Sequence, residues 1–261
     1  MIRQLGGVTV LVLGSALTAC GPDGAGSAEG GGNRTLDVLA ASSLTETFGT
    51  LADTFEDQHP GVDVRLVLES STTLANQVDE GAPADVLATA DEASMQLVLD
   101  AGNAEDAEPF ATNELVLVTP ADNPAGIRSL ADLDDADVAF VACVETAPCG
   151  ALAEQLLAEN EVMNDPRSLE VDVKAVLAKV TSGEADAGLV YASDARAAGT
   201  DVVTLPVPGS GRARNSYLVA VVDQADDAAL ARDWVDLVLS SKGQQVLGEA
   251  GFGPAERSGS R

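Results

Sequence analysis

The 261-residue sequence is poor in basic side chains, aromatic side chains and histidine, and each shortage excludes a class of function. It has 14 Lys and Arg against 42 Asp and Glu, with a formal net charge of -28, so it offers no basic stripe for a phosphate backbone. One Trp, two Tyr and five Phe leave few rings on which bases could stack. Nucleic acid is therefore not an expected partner. The single histidine, His59, excludes a metal centre of several histidines.

What the sequence does contain is typical of a globular protein. Apolar residues make up 46% of the chain and charged residues 21%, which favours folding over disorder. The length allows one large domain or two small ones. The acidic excess also predicts that anions are repelled at long range.

The first residues have the layout of an export signal. Met1 to Arg3 carry one positive charge, and the apolar run from Val8 to Leu17 is too short to span a bilayer. Leu17-Thr18-Ala19-Cys20 follows and resembles a bacterial lipoprotein signal, which predicts a signal peptide over 1–19 and lipidation of Cys20. The alternative is an ordinary signal peptide with an incidental cysteine. Residues 20–33 then form the lipidated cysteine and a Gly-rich flexible tether, which predicts a protein anchored to the outer face of the cell membrane.

The other two cysteines, Cys143 and Cys149, form an even pair in a chain predicted to be exported. Such a pair favours a disulfide. Two reduced, buried thiols are the alternative, because spacing alone does not fix the geometry.

From Thr35 onward, short β-rich runs alternate with apolar residues at helical spacing, which is typical of an α/β fold. Strand patterns fall at 36–39, 62–68, 84–89, 115–119, 138–142, 187–191 and 217–222. Helical patterns fall at 44–55, 73–80, 91–102 and 230–238, and begin at Pro148 and Val173. These elements form two groups of βα units, and the chain crosses from the first group to the second and later returns. This order predicts two lobes with a cleft between them. The predicted lobes are 34–113 plus 216–261, and 114–215.

Hydroxyl side chains stand at two strand-to-helix junctions. Ser42-Ser43 follows the first strand, and Ser70-Ser71-Thr72-Thr73 follows the second. Helix capping alone would explain either group. Because parallel strands end at the same edge of a sheet, however, the hydroxyls and the helix N-termini behind them predict an oxyanion site. The N–H groups of Cys149, after Pro148, and of Val173, after the capping residue Asp172, are further candidate donors.

Catalytic patterns are weak. His59 lies in a Gln58–Gly61 turn rather than beside a nucleophile, and no Ser stands three residues before a Lys. The acidic stretch 132–137 lacks the register of a calcium loop. The sequence therefore predicts neither an enzyme nor a resident cofactor.

Four segments in order along the chain resemble the signature segments of molybdate-binding proteins, the extracytoplasmic receptors of molybdate ABC transporters. They are Ala40-Ala41-Ser42-Ser43-Leu44-Thr45, Ser70-Ser71-Thr72-Thr73-Leu74-Ala75, Gly81-Ala82-Pro83-Ala84-Asp85-Val86 and Gly188-Leu189-Val190-Tyr191-Ala192-Ser193-Asp194-Ala195. The resemblance spans 36–252. It implies a two-lobed, type II periplasmic-binding-protein-like fold that closes at a hinge around molybdate or tungstate. It also implies a monomeric receptor that delivers its ligand to an ABC permease.

The resemblance implies five ligand-binding residues. They are the hydroxyls of Ser43 and Ser71, the backbone N–H groups of Cys149 and Val173, and the phenol of Tyr191, with Ser42 and Ser70 as adjacent alternatives. The resemblance implies no separate metal site: molybdenum or tungsten is bound only as its oxyanion, by these same residues. The family usually has a small apolar residue where Cys149 stands, so a disulfide that twists the start of the helix would disturb that contact.

Other interpretations remain open at this point. A sulfate or phosphate receptor would have the same fold, and a lipid-anchored hydrolase or a structural lipoprotein would share the anchor. A ferric-iron receptor usually needs several tyrosines, whereas this chain has only Tyr191 and Tyr217.

Overall fold

The computed structural model describes residues 34–256. The predicted signal peptide, Cys20 and the tether lie outside the described residues. The strands are β1 (Arg34–Ala41), β2 (Val62–Glu69), β3 (Val86–Thr89), β4 (Glu108–Asn113), β5 (Leu115–Pro120), β6 (Phe140–Cys143), β7 (Ser168–Glu170), β8 (Ala187–Tyr191), β9 (Val202–Pro206), β10 (Asn215–Val221) and β11 (Gly253–Pro254). The helices are α1 (Thr45–Gln58), α2 (Ser71–Asp79), α3 (Glu92–Asp100), α4 (Pro148–Glu159), α5 (Val173–Thr181), α6 (Ala192–Ala198), α7 (Ala228–Leu239) and α8 (Ser241–Glu249).

The strands form two separate sheets. The first has the order β11-β4-β10-β3-β1-β2, and the second has the order β7-β6-β8-β5-β9. In the first sheet β1 is parallel to β2 and β3, so the carboxyl ends of these strands lie at one edge. In the second sheet β6 is parallel to β7 and β8. Each sheet therefore brings the start of the helices that follow its parallel strands to one edge.

The chain passes between the sheets twice. It leaves the first sheet between β4 and β5, at Glu114, and returns between β9 and β10. This arrangement confirms the predicted α/β fold of two lobes joined by a hinge. The predicted boundary at residue 216 falls one residue inside β10, and the assignment of whole lobes to residue ranges stays a prediction.

The helices pack on the sheets through apolar side chains that recur at helical spacing and so lie on one face of each helix. One side of the first sheet is covered by α1, α7 and α8, where Phe48 and Phe55 pack edge-on against Trp234. The other side is covered by α2 and α3. The apolar core of the second sheet includes buried residues of α4 and α5. Burial of these faces supplies the main favourable free energy of folding, and it fixes where each helix begins relative to the cleft.

Aspartate side chains cap α3 and α5, and the cap predicted at Asp172 is confirmed. The carboxylate of Asp91 accepts a hydrogen bond from the Ser94 N–H, and that of Asp172 accepts one from the Ala175 N–H. Within residues 34–256, no helix is long and apolar enough to cross a membrane.

Candidate functional site

A small cavity lies between the lobes, where the helices of both sheets begin. The space left between the lining atoms is small, about what one water molecule needs, so in this conformation the cavity excludes sugars and peptides. The cavity is lined by Ala41, Ser42, Ser43, Glu69, Ser70, Ser71, Ala90, Pro148, Cys149, Asp172, Val173 and Tyr191. All five residues singled out for ligand binding, and both adjacent serines, are thus brought together.

Ser43 and Ser71 come from the first lobe, and both are buried. Ser43 lies in the 3₁₀ turn Ser42–Leu44 after β1, and its Oγ is 2.8 Å from the Tyr217 hydroxyl. Ser71 is the first residue of α2, and its Oγ accepts a hydrogen bond from the Ala90 N–H at 2.9 Å. Because that N–H occupies a lone pair of Ser71, the serine's own proton is left for a ligand.

Helix capping does not explain the second serine cluster. Ser70 is the N-cap of α2, yet its side chain makes no capping hydrogen bond. Ser70 is also buried and lines the cavity. The N-terminus of α2 therefore faces the cavity without a side-chain acceptor of its own.

Tyr191 is the last residue of β8 and is 1% exposed. Its hydroxyl oxygen accepts a hydrogen bond from Asn215 Nδ2 at 2.6 Å. Burial, with a smaller effect of Tyr217, raises the pKa of the Tyr191 phenol well above its ordinary value. The phenol therefore stays protonated at neutral pH and can donate to an anion.

Cys149 and Val173 contribute the N-termini of α4 and α5. Neither backbone N–H donates a hydrogen bond to any described residue, as expected for the first turn of a helix. N–H groups of this kind, together with the helix dipole, form a favourable environment for an anion. The second lobe thus offers the cavity two N–H donors and one phenol.

Cys143, at the end of β6, and Cys149, in the first turn of α4, are joined by a disulfide. The helix nevertheless begins regularly at Pro148, after an extended Ala147, so the disulfide does not displace the Cys149 N–H from the cavity lining. The loop closes tightly on Gly150, where a Cβ would overlap the carbonyl oxygen of Val144. Only glycine fits this approach.

The electrostatics of the cavity come from dipoles rather than from a counter-charge. Its lining residues include no Lys or Arg, and include the carboxylates of Glu69 and Asp172. Asp172 is occupied as the N-cap of α5. The cation beside the cavity, Lys174, is held 2.7 Å from Glu46 and 3.0 Å from Asp194. The site therefore suits an anion that accepts hydrogen bonds from neutral groups.

The single histidine does not contribute to the cavity. His59 stacks on Phe55 at the end of α1 and does not line the cavity. In the described part of the chain, no group of three or more His, Cys, Asp or Glu is placed to hold a metal ion.

The sequence did not predict the contacts behind the groups that line the cavity. Asn215, at the start of β10, bonds to Tyr191, and the Ala90 N–H bonds to Ser71. Lys174 and Glu46 link α5 of one lobe to α1 of the other. No local pattern marks such contacts, because each joins residues far apart in sequence.

Together, a small cleft between two hinged α/β lobes and a lining of neutral donors define a solute-binding receptor of the type II class. Comparison with known proteins then gives the family. The family described as "Bacterial extracellular solute-binding protein" matches residues 36–253. The molybdate-binding protein ModA of Mycobacterium tuberculosis is 38% identical over 250 residues, covering 94% of this chain and 96% of that protein. The chain belongs to this family of solute-binding proteins and, within it, to the ModA group.

Solved structures agree on the fold. The periplasmic molybdate-binding protein of Azotobacter vinelandii matches with a TM-score of 0.71 at 20% identity, covering 85% of this chain and 100% of that chain. The sulfate-binding protein SubI of Mycobacterium tuberculosis matches with a TM-score of 0.74 at 18% identity, covering 86% and 88%. The fold is thus common to receptors of different oxyanions and does not by itself select one.

Family membership confirms that the chain is a transport receptor and not an enzyme, and it places the protein outside the cytoplasm.

Proposed function

We propose that this protein binds molybdate in the cavity between its lobes and serves its import. The observation that carries the proposal is the set of neutral donors lining one small cavity, which is matched in kind to a tetrahedral oxyanion. The 38% identity to ModA over nearly the whole chain supports molybdate as the particular ligand.

In this proposal, Ser43 and Ser71 hold the ligand from the first lobe, and Tyr191 with the N–H groups of Cys149 and Val173 holds it from the second. The negative charge is stabilised by hydrogen bonds and by the N-terminal ends of α2, α4 and α5. Because both lobes contribute donors, the closed form binds the ligand better than an open form, and binding drives closure.

Selectivity follows from the size of the cavity and from its donors. Sulfate is smaller than molybdate and would leave donors at longer distances, whereas tungstate is nearly the same size and is expected to compete. A protonated phosphate also needs an acceptor, whereas the Tyr191 phenol and the N–H groups of Cys149 and Val173 present only hydrogens to the ligand.

The surrounding organisation is part of the same proposal. Residues 1–19 are the signal peptide, Cys20 carries the lipid, and 20–33 tether a monomeric domain to the outer face of the membrane. Residues 34–113 plus 216–261 form the first lobe and 114–215 the second. The closed, liganded domain is then recognised by an ABC permease.

A thermal-unfolding panel tests the ligand assignment. A ligand that binds only the native state raises the melting temperature, by an amount that grows with its concentration relative to Kd. We expect molybdate and tungstate to raise the melting temperature of the purified protein at concentrations where sulfate and phosphate do not. A shift with sulfate or phosphate alone would assign the protein to another oxyanion, and no shift with any of the four would contradict an oxyanion receptor.

A further inference from the structure

Asn215 links two ligand-facing elements of the second lobe to a strand of the first sheet. It is the first residue of β10, directly after the chain returns from the second lobe. Its Nδ2 lies 2.6 Å from the Tyr191 hydroxyl and 3.1 Å from the carbonyl oxygen of Pro148. Tyr191 and the first turn of α4 both line the cavity, so one amide contacts two parts of the site from behind.

The orientation of this amide follows from its partners. The Pro148 carbonyl can only accept a hydrogen bond, so the atom of Asn215 that faces it is the NH2 nitrogen and not the oxygen. The same nitrogen has a second hydrogen, and the Tyr191 oxygen is its other neighbour. Tyr191 therefore accepts from Asn215, and the hydrogen of the phenol is left to donate to the cavity.

We propose that Asn215 is a positioning residue that fixes Tyr191 as a hydrogen-bond donor and thereby restricts the site to oxyanions that carry no proton. The inference rests on the proposed function, because it concerns the same cavity. The Ala90 N–H has the corresponding relation to Ser71, but it is a backbone group that substitution cannot reverse. Asn215 is a side chain whose hydrogen bond a single substitution does reverse.

The chemical consequence is selection by protonation state. At neutral pH molybdate, tungstate and sulfate have only acceptor oxygens, whereas hydrogen phosphate and hydrogen arsenate each carry an O–H that needs an acceptor. A phenol that accepts from Asn215 and donates to the ligand offers no acceptor for that hydrogen at its own position. An O–H that faces the buried Tyr191 is left unpaired, which is costly, so the protonated anions bind more weakly.

Asn215→Asp is the variant that reverses the hydrogen bond. The carboxylate accepts from Tyr191, and the phenol oxygen then presents a lone pair to the cavity. We expect molybdate to bind about 10- to 150-fold more weakly, as for loss of a hydrogen bond to a charged group. Hydrogen phosphate loses less affinity, so the ratio of phosphate Kd to molybdate Kd falls.

Asn215→Ala removes the donor without adding charge, and we expect molybdate to bind about 3- to 10-fold more weakly.

A double-mutant cycle with Tyr191→Phe separates positioning from general structural damage. The four proteins are wild type, Asn215→Ala, Tyr191→Phe and the double variant, each titrated with molybdate and phosphate. If Asn215 acts through Tyr191, then Asn215→Ala has less than about a twofold effect in the Tyr191→Phe background. An equal loss of affinity in both backgrounds, or an unchanged phosphate-to-molybdate ratio in Asn215→Asp, would overturn the inference.

The possible failures are distinguishable. Melting temperatures without ligand show whether each variant folds, and the cycle uses only Asn215→Ala if the Asp variant does not. A wild-type protein that binds none of the anions contradicts the proposed function, and the inference falls with it. A wild-type protein that binds molybdate while the substitutions act independently contradicts only the role of Asn215.

Discussion

At the residue scale, the direction of each hydrogen bond defines the site. Ser71 and Tyr191 both accept from donors behind them, so their own protons are available to a ligand. Ser43 is paired with the Tyr217 hydroxyl, where either oxygen can donate. The same residue types with reversed hydrogen bonds would present lone pairs and repel an anion.

Ser71→Ala tests one of these donors. It removes a hydrogen bond to a charged ligand, which is worth about 1.5 to 3 kcal/mol, so we expect the Kd for molybdate to rise about 10- to 150-fold in calorimetric titration. Ser240→Ala is the matched control: it removes the cap of α8, which costs about 1 kcal/mol of stability far from the cavity. Molybdate binding by Ser71→Ala as tight as by wild type would remove Ser71 from the site.

Asp194 gives the fold a pH dependence. Burial raises the pKa of this carboxyl from 3.8 to about 6, against the opposing effect of Lys174. Between those values the folded chain holds a proton that the unfolded chain releases, so the stability contributed by Asp194 is present below about pH 4 and is lost as the pH rises through 6.

Denaturant titrations of wild type and Asp194→Asn across pH 4 to 8 measure this contribution. The difference in unfolding free energy, wild type minus variant, is expected to fall by at most about 3 kcal/mol between pH 4 and 6 and to stay level above pH 7. Acidic residues that titrate alike in both proteins cancel in the difference. A difference that rises with pH would mean that the pKa of Asp194 is lowered by its ion pair instead.

At this scale the sequence predicts the residues that line the cavity better than the contacts behind them. Ser43, Ser71 and Tyr191 stand at strand ends within local motifs, and all line the cavity. Asn215 and Tyr191 are 24 residues apart, and Ser43 and Tyr217 are 174 apart. Such pairs meet only through the packing of whole elements, which local patterns do not encode.

At the element scale, helix N-termini carry the site, and α4 shows how one is held. The disulfide between Cys143 and Cys149 closes a loop with a sequence separation of 6 residues between β6 and the start of α4. Closing so short a loop restricts the unfolded chain and fixes the position of the Cys149 N–H relative to the second sheet.

Replacing both cysteines by serine tests this role. By the loop-closure argument, we expect the double variant to lose about 2 kcal/mol of unfolding free energy, measured by denaturant titration. Molybdate affinity is expected to fall as well, because the first turn of α4 becomes less ordered before binding. Full affinity despite the stability loss would show that packing alone holds the turn, and an unchanged stability would contradict the loop-closure argument.

Long elements with one apolar face were the most predictable. The spacing of Val173, Val176 and Val180 predicts α5, and all three residues are buried there. The pattern did not predict β4, β7, β9, β11, α6 or α8. β7 has three residues and lies at a sheet edge, and α6 has seven residues, mostly small. Such elements form because neighbours supply hydrogen bonds and packing, so their own sequence carries little signal.

At the scale of the whole molecule, the net charge of -28 predicted that anions are repelled, whereas the cavity suits an anion. The two statements are compatible because they concern different distances from the anion. Charges farther away than about 8 to 10 Å are screened at physiological salt, while N–H groups and hydroxyls act at contact. The acidic surface therefore bears on the approach of a ligand more than on its affinity.

Contacts outside the cavity also join the two lobes. Lys174 Nζ of the second lobe lies 2.7 and 2.8 Å from the carboxylate oxygens of Glu46 in the first. The Thr72 hydroxyl of the first lobe also donates to the Thr146 carbonyl oxygen of the second at 2.6 Å. If the lobes close on a ligand as proposed, we expect these contacts to favour the closed form without touching the ligand.

Glu46→Gln tests the ion pair. The Glu46 side chain is half exposed, so the pair contributes about 0.5 to 1 kcal/mol to closure. We expect the Kd for molybdate to rise about 2- to 5-fold, and the Kd for tungstate to rise by the same factor. Glu154→Gln, at an exposed position of α4, is the control. A changed preference between the two anions would place Glu46 in the ligand site rather than in closure.

Isothermal titration of the purified protein with molybdate, alongside sulfate and phosphate, tests the central claim most directly. We expect saturable binding of one molybdate per chain, with much weaker heats for sulfate and phosphate at the same concentrations. Absence of molybdate binding under conditions where sulfate or phosphate saturates the protein would contradict it.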